Sequence, residues 1–143
     1  MVRLRSKVEI ELYDKEQNLI TRREEEGKLI VDTGFRWMQK QLGEHVTTSM
    51  YYSAIGTDNT APAAGQTALG AETARGSGVF TSISTTEFQN EKSFTGLSAT
   101  IVEAGLFNAT SEGAMLDRVT FGAITLASSD ELVIRWRITL SEA

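Results

Sequence analysis

From Leu132 to Leu140 the chain is apolar at Leu132, Ile134, Trp136, Ile138 and Leu140, and Val133, Arg135, Arg137 and Thr139 lie between them. A period of two with charge gathered on one face is what a strand with one buried face requires. The opposite end of the chain repeats the pattern: Val2, Leu4, Val8, Ile10 and Leu12 alternate with Arg3, Arg5, Lys7, Glu9 and Glu11. Asp14-Lys15-Glu16-Gln17-Asn18 then makes a polar turn and Leu19-Ile20-Thr21 begins a return strand, so the N-terminus reads as a hairpin. The run Arg22-Arg23-Glu24-Glu25-Glu26 reads as a solvated strand edge or loop, the alternative being a docking contact with a charged partner.

Residues 28–31 read as a short strand. Asp32 or Thr33 can then cap a helix over residues 34–42, with Phe35, Met38 and Leu42 on one face against the sheet and Gly43 as a left-handed stop. Trp37 lies off that stripe and covers the helix flank or meets a neighbouring subunit. An apolar run from Ser49 to Ile55 stops at Gly56, and a loop of small residues follows that holds the single proline, Pro62. Residues 67–72 offer one helical turn at most, so this stretch reads as strand, ordered loop, short helix. Arg75-Gly76-Ser77-Gly78 breaks the chain, residues 79–86 are a Ser/Thr-rich β segment, and residues 89–93 form either a turn or the middle of a long strand. Residues 99–107 and 114–121 are further strands, and 127–130 make the last turn.

Eight or so short strands joined by Gly, Ser, Asn and Asp turns, with one sound helix, predict an all-β fold: an antiparallel β-sandwich, jelly-roll-like, with one short amphipathic α-helix. At 143 residues the expectation is a single domain over 1–143, with the hairpin and helix at about 1–45 and the rest of the sandwich at about 46–143.

A net charge of −5 sets the chain against a phosphate backbone, so no nucleic-acid partner is expected. No stretch is long and apolar enough for a membrane span, and the basic start runs into an alternating strand instead of a signal-peptide core. With no cysteine and one histidine, disulfides and the usual zinc sites drop out. His45, beside Glu44, reads as a helix C-terminal or surface residue; no serine has a second histidine to serve as its base. Asp58-Asn59-Thr60 is too sparse for a calcium loop and reads as a turn, and residues 70–76 lack the Gly-Lys-Ser/Thr ending of a phosphate loop. A carboxylate pair for glycoside hydrolysis needs spatial separation and no motif, so the nineteen acidic residues leave it open. The expectation is a protein that is not an enzyme, with no cofactor, catalytic or metal residues. Asn108-Ala109-Thr110 reads as an ordinary turn. Arg135 and Arg137 form an outward basic pair that either crosses to strands of the same chain or meets Glu24, Glu25 or Glu26 of a neighbour.

Tyr51 to Leu69, with Ile55-Gly56-Thr57, Thr60-Ala61-Pro62-Ala63 and Thr67-Ala68-Leu69 followed by Glu72 and Arg75, resembles a segment of small virion structural proteins of tailed bacteriophages. Residues 101–107, then 116–121 and the final strand with Trp136, are similar to the same group and to tail-fibre domains. The resemblance implies a β-sandwich building block of a virus particle: a capsid decoration (cement) protein on the outer surface of the head, made in the host cytoplasm. Its partner would be the major capsid protein lattice, and the form would be a homotrimer. The candidate contact residues are Arg3 and Arg5 on the N-terminal arm, Asp58, Asn59 and Pro62 on the loop, and the pair Arg135 and Arg137. A tail, baseplate or tail-fibre adaptor is the alternative within virions. A carbohydrate-binding module, with Trp37, Tyr51 and Tyr52 stacking on sugar, is the alternative outside them.

Overall fold

The computed structural model describes residues 2–27, 30–44 and 48–142, with only the backbone at Val2. The elements in chain order are β1 (Val2–Tyr13), β2 (Leu19–Glu26), α1 (Asp32–Gly43), β3 (Tyr52–Gly56), β4 (Glu72–Ser77), β5 (Val79–Ser82), β6 (Glu87–Thr95), β7 (Ala99–Phe107), β8 (Met115–Leu126) and β9 (Glu131–Glu142).

The two alternating stretches at the chain's ends become neighbours. β1 and β9 pair antiparallel along their whole length, from Val2 opposite Glu142 to Tyr13 opposite Glu131. They form the middle of a five-stranded sheet ordered β2-β1-β9-β6-β5. A four-stranded sheet ordered β4-β3-β7-β8 lies against it, and every strand pairing is antiparallel. The protein is thus an all-β sandwich with one short helix. The N-terminal hairpin belongs to the sandwich itself, so a division near residue 45 does not follow the packing.

Alternation turns the apolar set of each strand inward. Val8, Ile10, Leu12, Leu132, Ile134, Trp136 and Ile138 from the first sheet meet Ile55, Ile101, Ala104, Leu106 and Val119 from the second in one buried cluster. Trp136 is fully buried, and its indole N–H donates to Ser53 Oγ at 3.2 Å, so the polar edge of the largest core side chain is satisfied.

A second, smaller cluster forms on the other side of the four-stranded sheet. There Val31, just before α1, and Leu69, from the loop after β3, cover Ala54, Phe107 and Met115. The outer face of this sheet is therefore roofed. Among the described residues no element roofs the outer face of the five-stranded sheet, which carries a ladder of ion pairs. Arg135 pairs with Glu11 and, at 3.0 Å, with Glu91; Arg137 lies 3.7 Å from Glu9 and 3.5 Å from Glu87; Lys7 pairs with Glu24.

Several local expectations change. α1 runs through Gly43 into an extended Glu44. Its N-cap is Val31, with no side-chain cap, and Thr33 lies inside the helix, its hydroxyl donating to the Met115 carbonyl at 2.7 Å. Phe35 and Leu42 are 53% and 92% exposed, whereas Gly34 is buried and Trp37 packs on the main core. The helix docks where its backbone comes close: a Cβ on Gly34 would meet the Leu116 carbonyl oxygen at 2.7 Å. Apolar spacing along the helix does not register that approach. Residues 67–71 form no helical turn and lead directly into β4, which runs through Arg75 and Gly76, so the break falls at Gly78 alone. Residues 89–93 are the middle of β6. The expected strand at 28–31 and the role of His45 fall on Lys28, Leu29 and His45, which lie outside the described residues; Ile30 and Val31 are not in a strand.

Candidate partner-binding site

The loop between β3 and β4, residues 57–71, is mostly exposed, yet two charged side chains buried under it fix its path. Glu103 comes from β7 and Arg118 from β8. Arg118 stands opposite Gly105, two residues along from Glu103, so both side chains rise from the same face of the sheet. Neither reaches solvent: Glu103 is 0% and Arg118 2% exposed. Arg118 Nη2 donates to Glu103 Oε2 at 2.6 Å and Nε donates to the same oxygen at 3.2 Å.

The remaining hydrogen-bonding capacity of the pair goes to the loop. Arg118 donates to the Thr60 carbonyl at 2.5 Å, the Asp58 carbonyl at 3.0 Å and Gln66 Oε1 at 3.3 Å. Glu103 accepts from the backbone N–H of Ala71 at 3.0 Å and of Gly70 at 3.2 Å. Gln66 carries the restraint across the loop crown: its Oε1 accepts from Ala63 N–H and its Nε2 donates to the Ala61 carbonyl. The fit needs a glycine at the end of β3, because a Cβ on Gly56 would collide with the Ala71 carbonyl and with Glu103 Oε1. A buried charge pair is tolerable only when the lone pairs and protons left over find partners, and the loop backbone supplies them.

Asp58 sits at the rim of this network. Its carboxylate accepts from Thr60 N–H at 3.1 Å and from the Thr60 hydroxyl at 2.9 Å, and lies 3.8 Å from Arg118. The Thr60 N–H first, then the Thr60 hydroxyl and the Arg118 charge hold the Asp58 carboxyl below its usual range. Asp58 therefore has a structural task, while Asn59 is exposed and Pro62 half-buried at the crown. Pro62 lines a crevice of about 310 Å³ with Glu25, Glu26, Ala61 and Thr120. Glu26 also borders a groove of about 690 Å³ that holds Arg3, Arg5, Lys7, Phe35 and Arg137. The structure thus brings the arm residues Arg3 and Arg5, Arg137 and the loop residue Pro62 to one side of the molecule, around Glu26. Arg135 is not among them, and both Arg135 and Arg137 find their carboxylates within the chain.

Glu103 and Arg118 were not singled out from sequence. The signal was present, since each interrupts an otherwise apolar stretch of strand, at Val102-Glu103-Ala104 and Leu116-Asp117-Arg118-Val119. Their neighbour Asp117 points the other way, between the sheets, where it accepts from the Ser6 hydroxyl and from Arg118 N–H at 2.7 Å. Burial without a cation raises its carboxyl to about 6, against the lowering effect of those two hydrogen bonds.

Among the described residues no three His, Asp or Glu side chains gather to hold a metal ion. Of the aromatic residues expected on a sugar site, Tyr52 packs on the second cluster edge-on to Tyr51, at 5.6 Å between ring centroids. Trp37 is half-buried and its indole N–H donates to the Thr48 carbonyl. Compared with protein-family models, curated proteins and solved structures, the chain matches none.

Proposed function

We propose that this protein is a non-catalytic building block of a tailed-phage particle, a capsid decoration protein that binds the outside of the head lattice through the 57–71 loop and the neighbouring N-terminal arm. The observation that carries the reading is the Glu103–Arg118 pair, whose spare hydrogen bonds all hold a surface loop in one conformation. A loop fixed before binding loses little conformational freedom on contact, so more of its contact energy appears as affinity. A rigid sandwich that displays such a loop suits recognition of a repeated surface. Binding the assembled, expanded lattice and not its free subunits stabilises the lattice by differential affinity alone, with no chemical step.

The test is co-sedimentation with the expanded empty heads of the encoding phage, using wild type and a variant with Asn59→Lys and Pro62→Lys on the loop crown. The expected result is that wild type pellets with heads and the double variant stays in the supernatant with an unchanged melting temperature. Wild type that pellets with isolated tails and not with heads would shift the assignment to a tail or baseplate adaptor. Failure to pellet with either would remove the virion reading.

A further inference from the structure

β1 outruns its hairpin partner. β2 pairs with it only from Tyr13 back to Lys7, which lies opposite Glu26, and the Gly27 N–H then donates to the Ser6 carbonyl at 2.9 Å. On its other side β9 follows the arm to Val2. Each strand residue directs its N–H and C=O to one edge and the next residue directs them to the other, so Leu4 presents both on the same side as Ser6. Among the described residues no strand pairs with the arm there.

This edge lines the groove of about 690 Å³ that Phe35 of α1 also borders. Alternation gives the groove two unlike walls. Leu4 turns inward and packs on the main core, which includes the buried Ile30, and Phe35 extends that apolar wall. Arg3, Arg5 and Lys7 turn outward, with Ser141, Thr139 and Arg137 opposite them on β9. Lys7 and Arg137 thus face each other as like charges, but carboxylates answer both: Glu24 for Lys7, Glu9 and Glu87 for Arg137. Glu26, the acid on the groove's lining, stands opposite Lys7. Arg3 and Arg5 are exposed, and among the described residues neither forms an ion pair. On a chain of net charge −5, two unmatched arginines beside an unpaired strand edge select an anionic occupant.

We infer that this edge takes one extended segment of an acidic protein partner, added to the sheet as a strand antiparallel to β1 in the line that β2 vacates. The segment's main chain pairs with Leu4. Acidic side chains on its outer face meet Arg3 and Arg5, and the apolar side chain between them fills the space against Leu4, Ile30 and Phe35. The occupant is therefore acidic, apolar and acidic at three successive positions. A broad polyanion does not suit the surface, because Glu9, Glu11, Glu87 and Glu91 share the outer sheet face and would repel a phosphate backbone or an anionic membrane. The inference rests on the decoration reading only for the source of the segment; the chemistry of the groove is read from its own residues.

The probe is a labelled synthetic peptide of about eight residues that alternates glutamate and valine, followed by fluorescence anisotropy. It is titrated with wild type, Arg5→Glu and, as an equal change of charge in the turn at the far end of the hairpin, Lys15→Glu, with the melting temperature of each. Arg5→Glu should weaken binding about tenfold or more at an unchanged melting temperature, and Lys15→Glu less than about twofold. The peptide should protect the Leu4 amide from hydrogen exchange, and a peptide with serine in place of valine should bind less tightly. No binding to wild type, equal losses in Arg5→Glu and Lys15→Glu, or binding that leaves the Leu4 amide unprotected would overturn the inference. Pelleting of wild type with phosphatidylserine vesicles, abolished by Arg5→Glu and without peptide binding, would assign the arginines to a membrane instead. Heads that pellet with a wild type that ignores the peptide would leave the decoration reading standing and remove this one. A peptide that binds a protein unable to pellet with heads would do the reverse.

Discussion

The outer faces of the two sheets use the same chemistry to different ends. On the five-stranded sheet, Arg135 and Arg137 cross to Glu9, Glu11, Glu87 and Glu91 in a ladder at the solvent boundary, where water screens the charges and would replace any lost partner. On the four-stranded sheet the pair Glu103 with Arg118 is sealed under a loop, where neither charge can recover water if its partner is removed. The ladder sets cross-strand register and keeps an open face soluble. The sealed pair gives a surface loop of small residues a fixed path, which such residues could not hold by their own packing. An ion pair's effect thus follows from what lies above it more than from its distance.

The largest break should come from Arg118→Met, which leaves Glu103 buried and unpaired. Chemical denaturation should give a loss of about 3–5 kcal/mol. Limited proteolysis should also cut within residues 57–71, where wild type resists. The double variant Glu103→Leu with Arg118→Met should recover most of that stability while the loop stays sensitive, because its backbone partners are still missing. A double variant as unstable as the single would place the penalty elsewhere.

Asp117 sharpens the comparison as a buried carboxylate with no cation. Its folded value of about 6 lies above the ordinary 3.8, so the folded state binds the extra proton in the interval between them. The stability from its neutral form is complete below about 3.8 and is lost as pH rises through about 6, a change of at most about 3 kcal/mol. Denaturation of wild type and Asp117→Asn across that range should show the difference between them growing in favour of the variant as pH rises. A flat difference would mean that the Ser6 hydroxyl and Arg118 N–H offset the burial.

Gly56→Ala tests the close approach of loop and sheet. The added methyl meets the Ala71 carbonyl and Glu103 Oε1, and a loss of about 1–3 kcal/mol in thermal or chemical unfolding is expected. The smallest effect belongs to the ladder: Arg135→Gln should cost no more than about 1 kcal/mol and lose even that in high salt. A larger loss at Arg135 than at Arg118 would reverse the contrast between the two faces.

Much of this architecture was legible from local pattern. The alternation of β1 and β9, the polar turn at residues 14–18 and the solvated edge at residues 22–26 are each set by a few adjacent residues, and each formed as read. The helix existed, but its docking face did not follow its apolar spacing. A glycine that lets two backbones approach leaves no hydrophobic signal, and Gly34 with Trp37 displaced Phe35 and Leu42 from the interface. The candidate loop stands out by its composition, but what organises it is a carboxylate on β7 and a guanidinium on β8, Glu103 and Arg118, fifteen residues apart on strands that read from sequence only as strands.

The order of side chains along the chain determined which segments would be strands and which face of each would seek a core, because those are properties of residues two apart. Only the tertiary structure decided that β1 would lie beside β9, that the 57–71 loop would close over Glu103 and Arg118, and that Asp117 would lose its water to a partner 111 residues away. Burial is a property of what the chain places opposite a residue, and for these charged groups the opposite layer comes from distant parts of the chain.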